Sequence, residues 1–184
     1  MAKLILLNFV TFRAFVILFF YVFGYACSTV PSKPEPELNT VSFVDLDQYL
    51  GQWYEIARYP HSFEKGCYGA RAFYEKLENG NLKVVNQCQM QSPTGDLNEA
   101  IGEAEVVDLA TNAKLKVQFF WPFKGDYWII DLDKDYEYAI VSEPNRQYLW
   151  VLSRTPYMNE GTLEKLKVKI KGMGFDLSYL MRTP

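Results

Sequence analysis

Two short motifs bracket a run of strand-like segments, and this arrangement constrains the fold more than any other feature. The first motif is Gly51-Gln52-Trp53-Tyr54-Glu55; the second is Trp150-Val151-Leu152-Ser153-Arg154-Thr155-Pro156, about 100 residues later. A barrel whose first strand closes against its last brings both motifs to one end. An Arg guanidinium over an indole face gains on the order of 1–2 kcal/mol when water is excluded. We therefore expect Arg154 to cover Trp53 at a barrel floor; the alternative is a core aromatic and an unrelated surface charge.

Eight segments that include these motifs alternate apolar and polar side chains, and turn residues separate them. Asn79-Gly80 is a strong signal for a two-residue hairpin turn, and Glu143-Pro144-Asn145 is another turn. Repeated short strands with tight turns indicate a meander rather than βαβ units. We therefore predict an all-β fold, an eight-stranded up-and-down antiparallel barrel. The predicted strands are 52–59, 68–76, 81–89, 98–107, 113–120, 127–131, 138–143 and 148–154, with a last short strand at 175–180.

Helical periodicity over any length occurs once after the N-terminal segment, near the end of the chain. Leu163, Leu166 and Ile170 recur at i, i+3 and i+7, which gives one apolar face. Asn159 is a good N-cap, and glycines at the end of 160–174 can stop the helix. The barrel is therefore expected to carry one C-terminal α-helix.

The N-terminal segment 1–26 has the features of a secretory signal peptide. Lys3 and Arg13 supply positive charge, and 14–23 is an unbroken apolar run too short to span a bilayer. An uncleaved membrane anchor is the alternative. It would place Arg13 inside the membrane, which costs on the order of a few kcal/mol.

The end of the signal, Gly24-Tyr25-Ala26-Cys27-Ser28, resembles a bacterial lipobox, although Gly24 and Tyr25 depart from the usual pattern. Cys27 would then be the lipidated first residue of the mature chain. Ser28 in place of Asp favours, by resemblance to Gram-negative lipoproteins, a lipid-anchored location in the outer membrane at its periplasmic face. Residues 27–39 form a Pro-rich tether, and 40–184 form one folded domain.

The mature chain is acidic. Loss of Lys3 and Arg13 with the signal lowers the basic residues from 19 to 17 against 22 acidic ones, a net charge of −5. An acidic domain without a basic patch argues against nucleic-acid binding.

Three motifs together carry a family resemblance: Gly51-x-Trp53, Asp135-Tyr136-Glu137-Tyr138-Ala139 and Leu152-Ser153-Arg154, followed by one amphipathic helix. In this order the chain resembles the lipocalin family over about residues 43–181. Within the family it is most similar to the bacterial outer-membrane lipoproteins and to apolipoprotein D. The resemblance implies a lipocalin barrel whose interior holds a small apolar ligand.

Side-chain alternation predicts which residues face the interior, because every second residue of a strand lies on the same face. If Trp53 and Arg154 mark the floor, then Glu55, Ala57, Tyr148, Trp150 and Leu152 face inward. On two further strands, charged or polar residues alternate with small or apolar ones and must face water, so the other set faces inward: Gly102, Ala104, Leu115, Val117 and Phe119. Continuity of the hairpin places Val84, Asn86 and Cys88 inward as well. By resemblance, Tyr127, Ile129, Ala139 and Val141 also line the interior.

Small residues at Ala57, Gly102, Ala104 and Ala139 are expected to leave space that Trp150 and Phe119 do not fill. Such a cavity suits a fatty acid or a lysophospholipid, and the protein would store, scavenge or transport these lipids in the cell envelope. A dry, filled core would instead indicate a structural envelope lipoprotein, and periodicity does not separate the two. The loop 59–69 is expected over the open end, where His61 and Phe63 could contact the ligand or be exposed.

The stretch 119–123 is rich in aromatic residues and forms either an interface patch or part of the barrel rim, so a homodimer is left open. No cofactor and no metal site are indicated, since no His/Cys cluster has ligand spacing.

Catalytic residues are not indicated either. The one enzymatic alternative is a lipid isomerase that uses Cys88 as a barrel thiol. That role needs a nearby positive charge to lower the thiol pKa, and none is predicted beside Cys88.

A disulfide between Cys67 and Cys88 is not expected from the hairpin register. A two-residue turn at Asn79-Gly80 places residue 88 opposite residue 71, four residues from Cys67. That stagger corresponds to about 13 Å, beyond the Cα separation that a disulfide allows, unless a bulge reduces it.

Overall fold

The computed structural model describes residues 37–184. The predicted signal peptide, Cys27 and the tether up to residue 36 lie outside this range, so those expectations stay predictions. Leu38 is already buried, so packing begins just before residue 40. In chain order the elements are α1 (Leu46–Tyr49), β1 (Gly51–Arg58), a 3-10 turn (Ser62–Glu64), β2 (Cys67–Lys76), β3 (Leu82–Met90), β4 (Leu97–Val106), β5 (Lys114–Phe120), β6 (Phe123–Leu132), β7 (Tyr138–Ser142), β8 (Leu149–Ser153), α2 (Glu160–Gly172), a 3-10 turn (Leu177–Tyr179) and β9 (Met181–Arg182).

Strands β1 to β8 form a closed antiparallel barrel. Each strand pairs with the next one in sequence, and β1 pairs with both β2 and β8. The closing contact pairs Tyr54 with Ser153 and Glu55 with Leu152. The predicted eight-stranded up-and-down barrel with one C-terminal helix is confirmed.

Most strand boundaries lie within one residue of the predicted ranges, and two elements differ by more. Strand β6 begins at Phe123 rather than residue 127, because Phe120 pairs with Phe123 across a two-residue turn. The last strand predicted at 175–180 is wrong. The Asp176 side chain accepts a hydrogen bond from the Ser178 backbone N–H and caps a 3-10 turn there, so the strand β9 follows at Met181–Arg182.

Strand β9 fills a gap between β1 and β2. These two strands pair only near the floor, from Gly51↔Tyr74 to Tyr54↔Arg71. Toward the other end β9 takes the place of β2 and pairs with Ala57 and Arg58. Beyond it, Gly69 N donates to Pro184 O at 2.7 Å. The last residues of the chain thus close the gap between β1 and β2 at the open end of the barrel.

Helix α2 packs on the outside of the barrel. The Asn159 side chain accepts a hydrogen bond from Gly161 N at 2.8 Å and caps the first turn. Leu163, Leu166 and Ile170 are buried with Ile140 in an outer hydrophobic cluster. Burial of such side chains contributes about 1.5–3 kcal/mol each, which holds the helix against the sheet.

A second cluster fills the barrel near its floor, and its members show which side chains face the interior. It includes Trp53, Leu82, Ala104, Ile129 and Ala139, all essentially inaccessible to solvent. The outer cluster takes the alternate residues of the same strands, as period-2 alternation requires.

The inward orientation predicted for Ala57 is wrong. The β1–β8 register shifts by one residue between Glu55 and Ala57, so Ala57 pairs with outward-facing Val151 and belongs to the outer cluster. A bulge inserts one residue and reverses the alternation beyond it. Arg58, opposite inward-facing Trp150, therefore takes the inner face instead.

The expectation that Cys67 and Cys88 are not bonded is also wrong, because they form a disulfide with Cα atoms 5.4 Å apart. The β2–β3 turn contains three residues, 78–80, rather than two: Leu77 N donates to Asn81 O at 2.8 Å. A bulge between Tyr68 and Arg71 shifts the register again. Gly69 within it has φ +57°, a left-handed conformation that glycine adopts without strain. Together these changes reduce the predicted stagger from four residues to two, since Cys67 lies opposite Met90.

Candidate functional site

The barrel floor is sealed by Arg154 over Trp53. The guanidinium carbon lies 3.8 Å from the indole ring centroid. Its Nη1 donates to the carbonyl oxygens of Leu50 and Gln52, each at 2.9 Å. Its Nε donates to Tyr136 O at 3.2 Å, and its Nη2 bonds to Gln48 O. The side chain therefore ties α1, β1 and the turn before β7 to one point.

A layer of three phenols lies above the floor. The Tyr127 hydroxyl is 2.8 Å from the hydroxyls of both Tyr49 and Tyr74, and Trp53 Nε1 donates to Tyr49 O at 2.8 Å. Burial raises the pKa of Tyr74 to about 12 and raises those of Tyr49 and Tyr127 well above the ordinary value. The layer is therefore neutral and hydrogen-bonded within itself.

The inner wall above this layer is apolar and becomes accessible toward the open end. Ala104, Ile129, Ala139 and Val141 are fully buried, whereas Val117, Phe119 and Trp150 retain partial solvent access. This gradient indicates an interior that is packed at the floor and open above it. The predicted residues on the inner face are Glu55, Val84, Asn86, Cys88, Gly102, Ala104, Leu115, Val117, Phe119, Tyr127, Ile129, Ala139, Val141, Tyr148 and Trp150. Their contact with a ligand stays a prediction.

Some of the space expected beside the small residues is filled. A Cβ on Gly102 would lie 2.8 Å from Phe119 Cδ1, so the Phe119 ring occupies the space that this glycine leaves. Free space in the interior therefore lies above or beside this contact rather than at Gly102 itself.

A charged cluster lies at the open end, around Glu55, which side-chain alternation predicted on the inner face. Arg58 Nη1 donates to Glu55 Oε1 at 2.7 Å, and its Nε lies 3.3 Å from Glu64 Oε2. The Arg58 and Glu55 side chains are each only 5% exposed. Glu64 reaches the cluster from the 3-10 turn in the loop between β1 and β2.

Aromatic rings enclose this cluster. His61 stacks on Phe63 with ring centroids 3.8 Å apart and lies 5.4 Å from Trp150, which itself stacks on Tyr148. The His61 side chain is 4% exposed, and neither ring nitrogen has a hydrogen-bond partner; Phe63 is largely exposed. The loop thus covers part of the open end through His61 rather than Phe63.

Burial shifts the ionisation of both loop residues. It raises the pKa of Glu64 to about 8, an effect reinforced by the Glu55 carboxylate and opposed by Arg58. It lowers the pKa of His61 to about 4, with Arg58 contributing. At neutral pH the imidazole is therefore neutral, and burial together with the nearby Glu55 carboxylate favours the protonated form of Glu64.

Disulfide-bonded Cys88 carries no thiolate, so the isomerase alternative lacks its nucleophile in this structure. Residues 37–184 contain no group of three or more potential metal ligands. Within the same residues, no helix is both long and apolar enough to cross a membrane.

Comparison with known proteins decides the family. A family model described as a lipocalin-like domain matches residues 44–184. The protein belongs to the lipocalin family. It is 40% identical over 170 residues to the outer membrane lipoprotein Blc of Vibrio cholerae, covering 92% of this chain and 96% of that protein. It is 39% identical to Escherichia coli K12 Blc, covering 83% and 85%, and 39% identical to mouse apolipoprotein D, covering 76% of each.

Solved structures show the same lipocalin fold. Insecticyanin from the tobacco hornworm Manduca sexta superposes with a TM-score of 0.65 at 20% identity, over 81% of this chain and 85% of that one. At this identity the likeness concerns the fold alone.

Sequence reasoning about this lipocalin missed Arg58 and Glu64 at the mouth and Tyr49 and Tyr74 above the floor. Arg58 was assigned outward by strict alternation, and the bulge that turns it inward has no clear signal in the sequence. Tyr74 could have been found, since its strand carries Ala72 two residues earlier on the inner face.

Proposed function

We propose that this lipocalin is a lipid-anchored protein of the outer membrane that binds fatty acids or lysophospholipids inside its barrel. It stores, scavenges or transports them in the cell envelope. The observation that carries the proposal is the interior itself: an apolar wall, closed at the floor by Arg154 and Trp53 and accessible beside Trp150. An apolar pocket with few polar groups at one end suits an amphiphile with one chain.

Two findings support the membrane location. The relatives in Vibrio cholerae and Escherichia coli are named outer membrane lipoproteins, and Cys27 follows a signal-like segment in this chain. The ten residues from 28 to 37 extend at most about 35 Å, so a lipidated Cys27 would hold the barrel close to the bilayer. Ser28 rather than Asp after this cysteine supports delivery to the outer membrane at its periplasmic face.

Exposed aromatic residues at the open end are consistent with exchange of lipid with that bilayer. Phe120, Trp121 and Phe123 lie at the β5–β6 turn, and Trp121 is 86% exposed. Aromatic rings of this kind partition to the membrane–water interface. Contact there would bring the barrel mouth to the source of its ligand.

Mass spectrometry of an organic extract of the purified protein tests the proposal, together with titration by a fluorescent fatty acid. We expect a co-purified single-chain lipid and saturable binding that changes Trp150 fluorescence. A protein that saturates with no lipid would favour the structural interpretation instead.

A further inference from the structure

Arg58 holds two carboxylates on the inner face at the mouth, although it can neutralise only one. Its Nη1 is 2.7 Å from Glu55 Oε1, while its Nε faces Glu64 Oε2 at 3.3 Å without hydrogen-bond geometry. Arg58 Nε, Glu64 Oε2 and both His61 ring nitrogens are buried and have no hydrogen-bond partner. A buried donor without a partner is unfavourable, so the cluster gains from an added acceptor.

The two carboxylates are held differently. Glu55 belongs to β1 and also accepts a hydrogen bond from Thr183 Oγ1 of the segment that pairs with β1. Glu64 belongs to a three-residue 3-10 turn, and its Oε2 lies 3.3 Å from Arg58 Nε and 3.5 Å from His61 Nε2 without a hydrogen bond to either. Glu64 is therefore the carboxylate that another anion can replace.

Space and charge beside the cluster suit an anion. A pocket of about 550 Å³ adjoins Arg58, and its lining includes His61, Ser62, Lys65 and Tyr68. None of the side chains that line it is acidic. An anion that enters there meets the Lys65 ammonium, the Arg58 Nε–H that lacks an acceptor, and a neutral imidazole that can donate one N–H.

We propose that Arg58 is the head-group site of this lipocalin. The carboxylate or phosphate of a single-chain amphiphile displaces Glu64 and pairs with Arg58, while its chain runs past Trp150 into the barrel. The inference rests on the proposed function, which supplies the chain in the interior. The exchange removes a carboxyl that Arg58 Nε does not hydrogen-bond and gives that donor an acceptor, with the Lys65 ammonium at the same pocket.

Paired ligands with and without the charge test the site in the full-length protein. Oleate is compared with oleyl alcohol, and lysophosphatidic acid with the monoacylglycerol of the same chain. The wild type is expected to bind the anion of each pair at least about tenfold more tightly, a difference of about 1.4 kcal/mol. A preference within only one pair identifies carboxylate or phosphate as the natural head group.

The matched variant is the double replacement Glu55→Gln with Arg58→Gln, which removes the charge pair without leaving Glu55 unpaired. It is expected to bind anion and alcohol equally and to keep the wild-type affinity for the alcohol. The control Arg71→Gln removes an arginine that bonds Gln87 on the outer face and should keep the preference. A double variant that keeps it would overturn the site.

A single replacement on the loop gives a second test that does not depend on the double variant folding. At pH 9 Glu64 is charged and competes with oleate for Arg58, whereas Glu64→Gln cannot. The other titratable and charged groups around it are Glu55 and Arg58 of β1 and His61 of its own loop, which contacts Tyr148 before β8, with Lys65 and Tyr68 at the pocket. We expect several-fold tighter oleate binding by Glu64→Gln at pH 9 and equal binding of oleyl alcohol.

The outcomes separate the two proposals. Equal binding of anion and neutral ligand by the wild type overturns the head-group site and leaves the lipid-binding function intact. Saturable binding of neither member of any pair overturns the lipid-binding function itself. Equal oleate affinity of wild type and Glu64→Gln at pH 9 shows that Glu64 is not displaced.

Discussion

Arg154 covers Trp53 with its guanidinium carbon 3.8 Å from the indole centroid, and the same group donates to carbonyl oxygens of both α1 and β1 segments. One side chain therefore stacks on Trp53 of the first strand, donates hydrogen bonds to carbonyl groups at the end of the preceding helix and closes the barrel floor. The stacking needs a planar cation, and the carbonyl groups need several donors in a fork, so arginine is suited to both.

Replacement of Arg154 by Ala should lower the free energy of unfolding by about 1–3 kcal/mol, through lost stacking and carbonyl groups left without donors. Urea unfolding measures the change. Lys134→Ala is the control, because Lys134 is exposed and forms its ion pair with the adjacent Asp135; it should change stability by less than about 1 kcal/mol. An Arg154→Ala protein as stable as this control would contradict the structural role of the floor contact.

The Cys67–Cys88 disulfide should stabilise the barrel by about 2–4 kcal/mol, since it closes a loop with a sequence separation of 21 residues. Cys67→Ala with Cys88→Ala should lower the unfolding midpoint in oxidising buffer. The reductant dithiothreitol should bring the wild type to the level of the variant and leave the variant itself unchanged. A wild type insensitive to reduction would speak against the bond.

A bulky residue at Ala100 should block the barrel, because Ala100 pairs with inward-facing Asn86 and is only partly buried. Ala100→Trp is expected to reduce fatty-acid affinity at least about tenfold while the barrel stays folded, since overpacking costs about 1–3 kcal/mol. Ile101→Trp, one residue away on the exposed outer face, should bind as the wild type does. Equal loss in both variants would mean that the interior is not the site.

The pH dependence of stability should reveal Glu64. Its folded pKa is about 8 against an ordinary value of 4.5, so between these values the folded protein holds a proton that the unfolded chain releases. Stability contributed by the protonated carboxyl is therefore complete below pH 4.5 and is lost as the pH rises toward 8. The unfolding temperature of Glu64→Gln minus that of the wild type should increase from pH 5 to pH 8.

The pKa of His61 is shifted in the opposite direction. Both the wild type and Glu64→Gln contain His61, so its contribution cancels in the difference between their unfolding temperatures. A difference that stays constant over the same range would show that Glu64 titrates as an exposed carboxyl.

Replacement of Cys27 by Ala should block attachment of lipid and processing of the signal. Membrane fractionation and the intact mass of the protein measure the result, and Cys67→Ala serves as the control that should leave anchoring unchanged. Mature wild-type protein that is membrane-bound without acyl mass on Cys27 would refute the lipobox prediction.

Local patterns explain why much of the fold was predictable. The strands alternate with period 2, the helix carries Leu163, Leu166 and Ile170 on one face, and each pattern reports which side of an element is buried. The three-residue turn at 78–80 was not predictable in the same way, because Asn79-Gly80 suits turns of more than one length. One residue in that turn changed the expected partner of Cys88.

The amino-acid sequence by itself determined the barrel, its C-terminal helix and the meeting of Trp53 with Arg154, because these follow from periodicity and from the order of the motifs. Tertiary structure alone decided the chemistry of the mouth. One inserted residue in β1 reverses the facing of Ala57 and Arg58, and a short loop then brings Glu64 and His61 out of water beside that arginine. A bulge leaves little trace in an alternating pattern, and the desolvation that shifts a pKa exists only once the chain has packed.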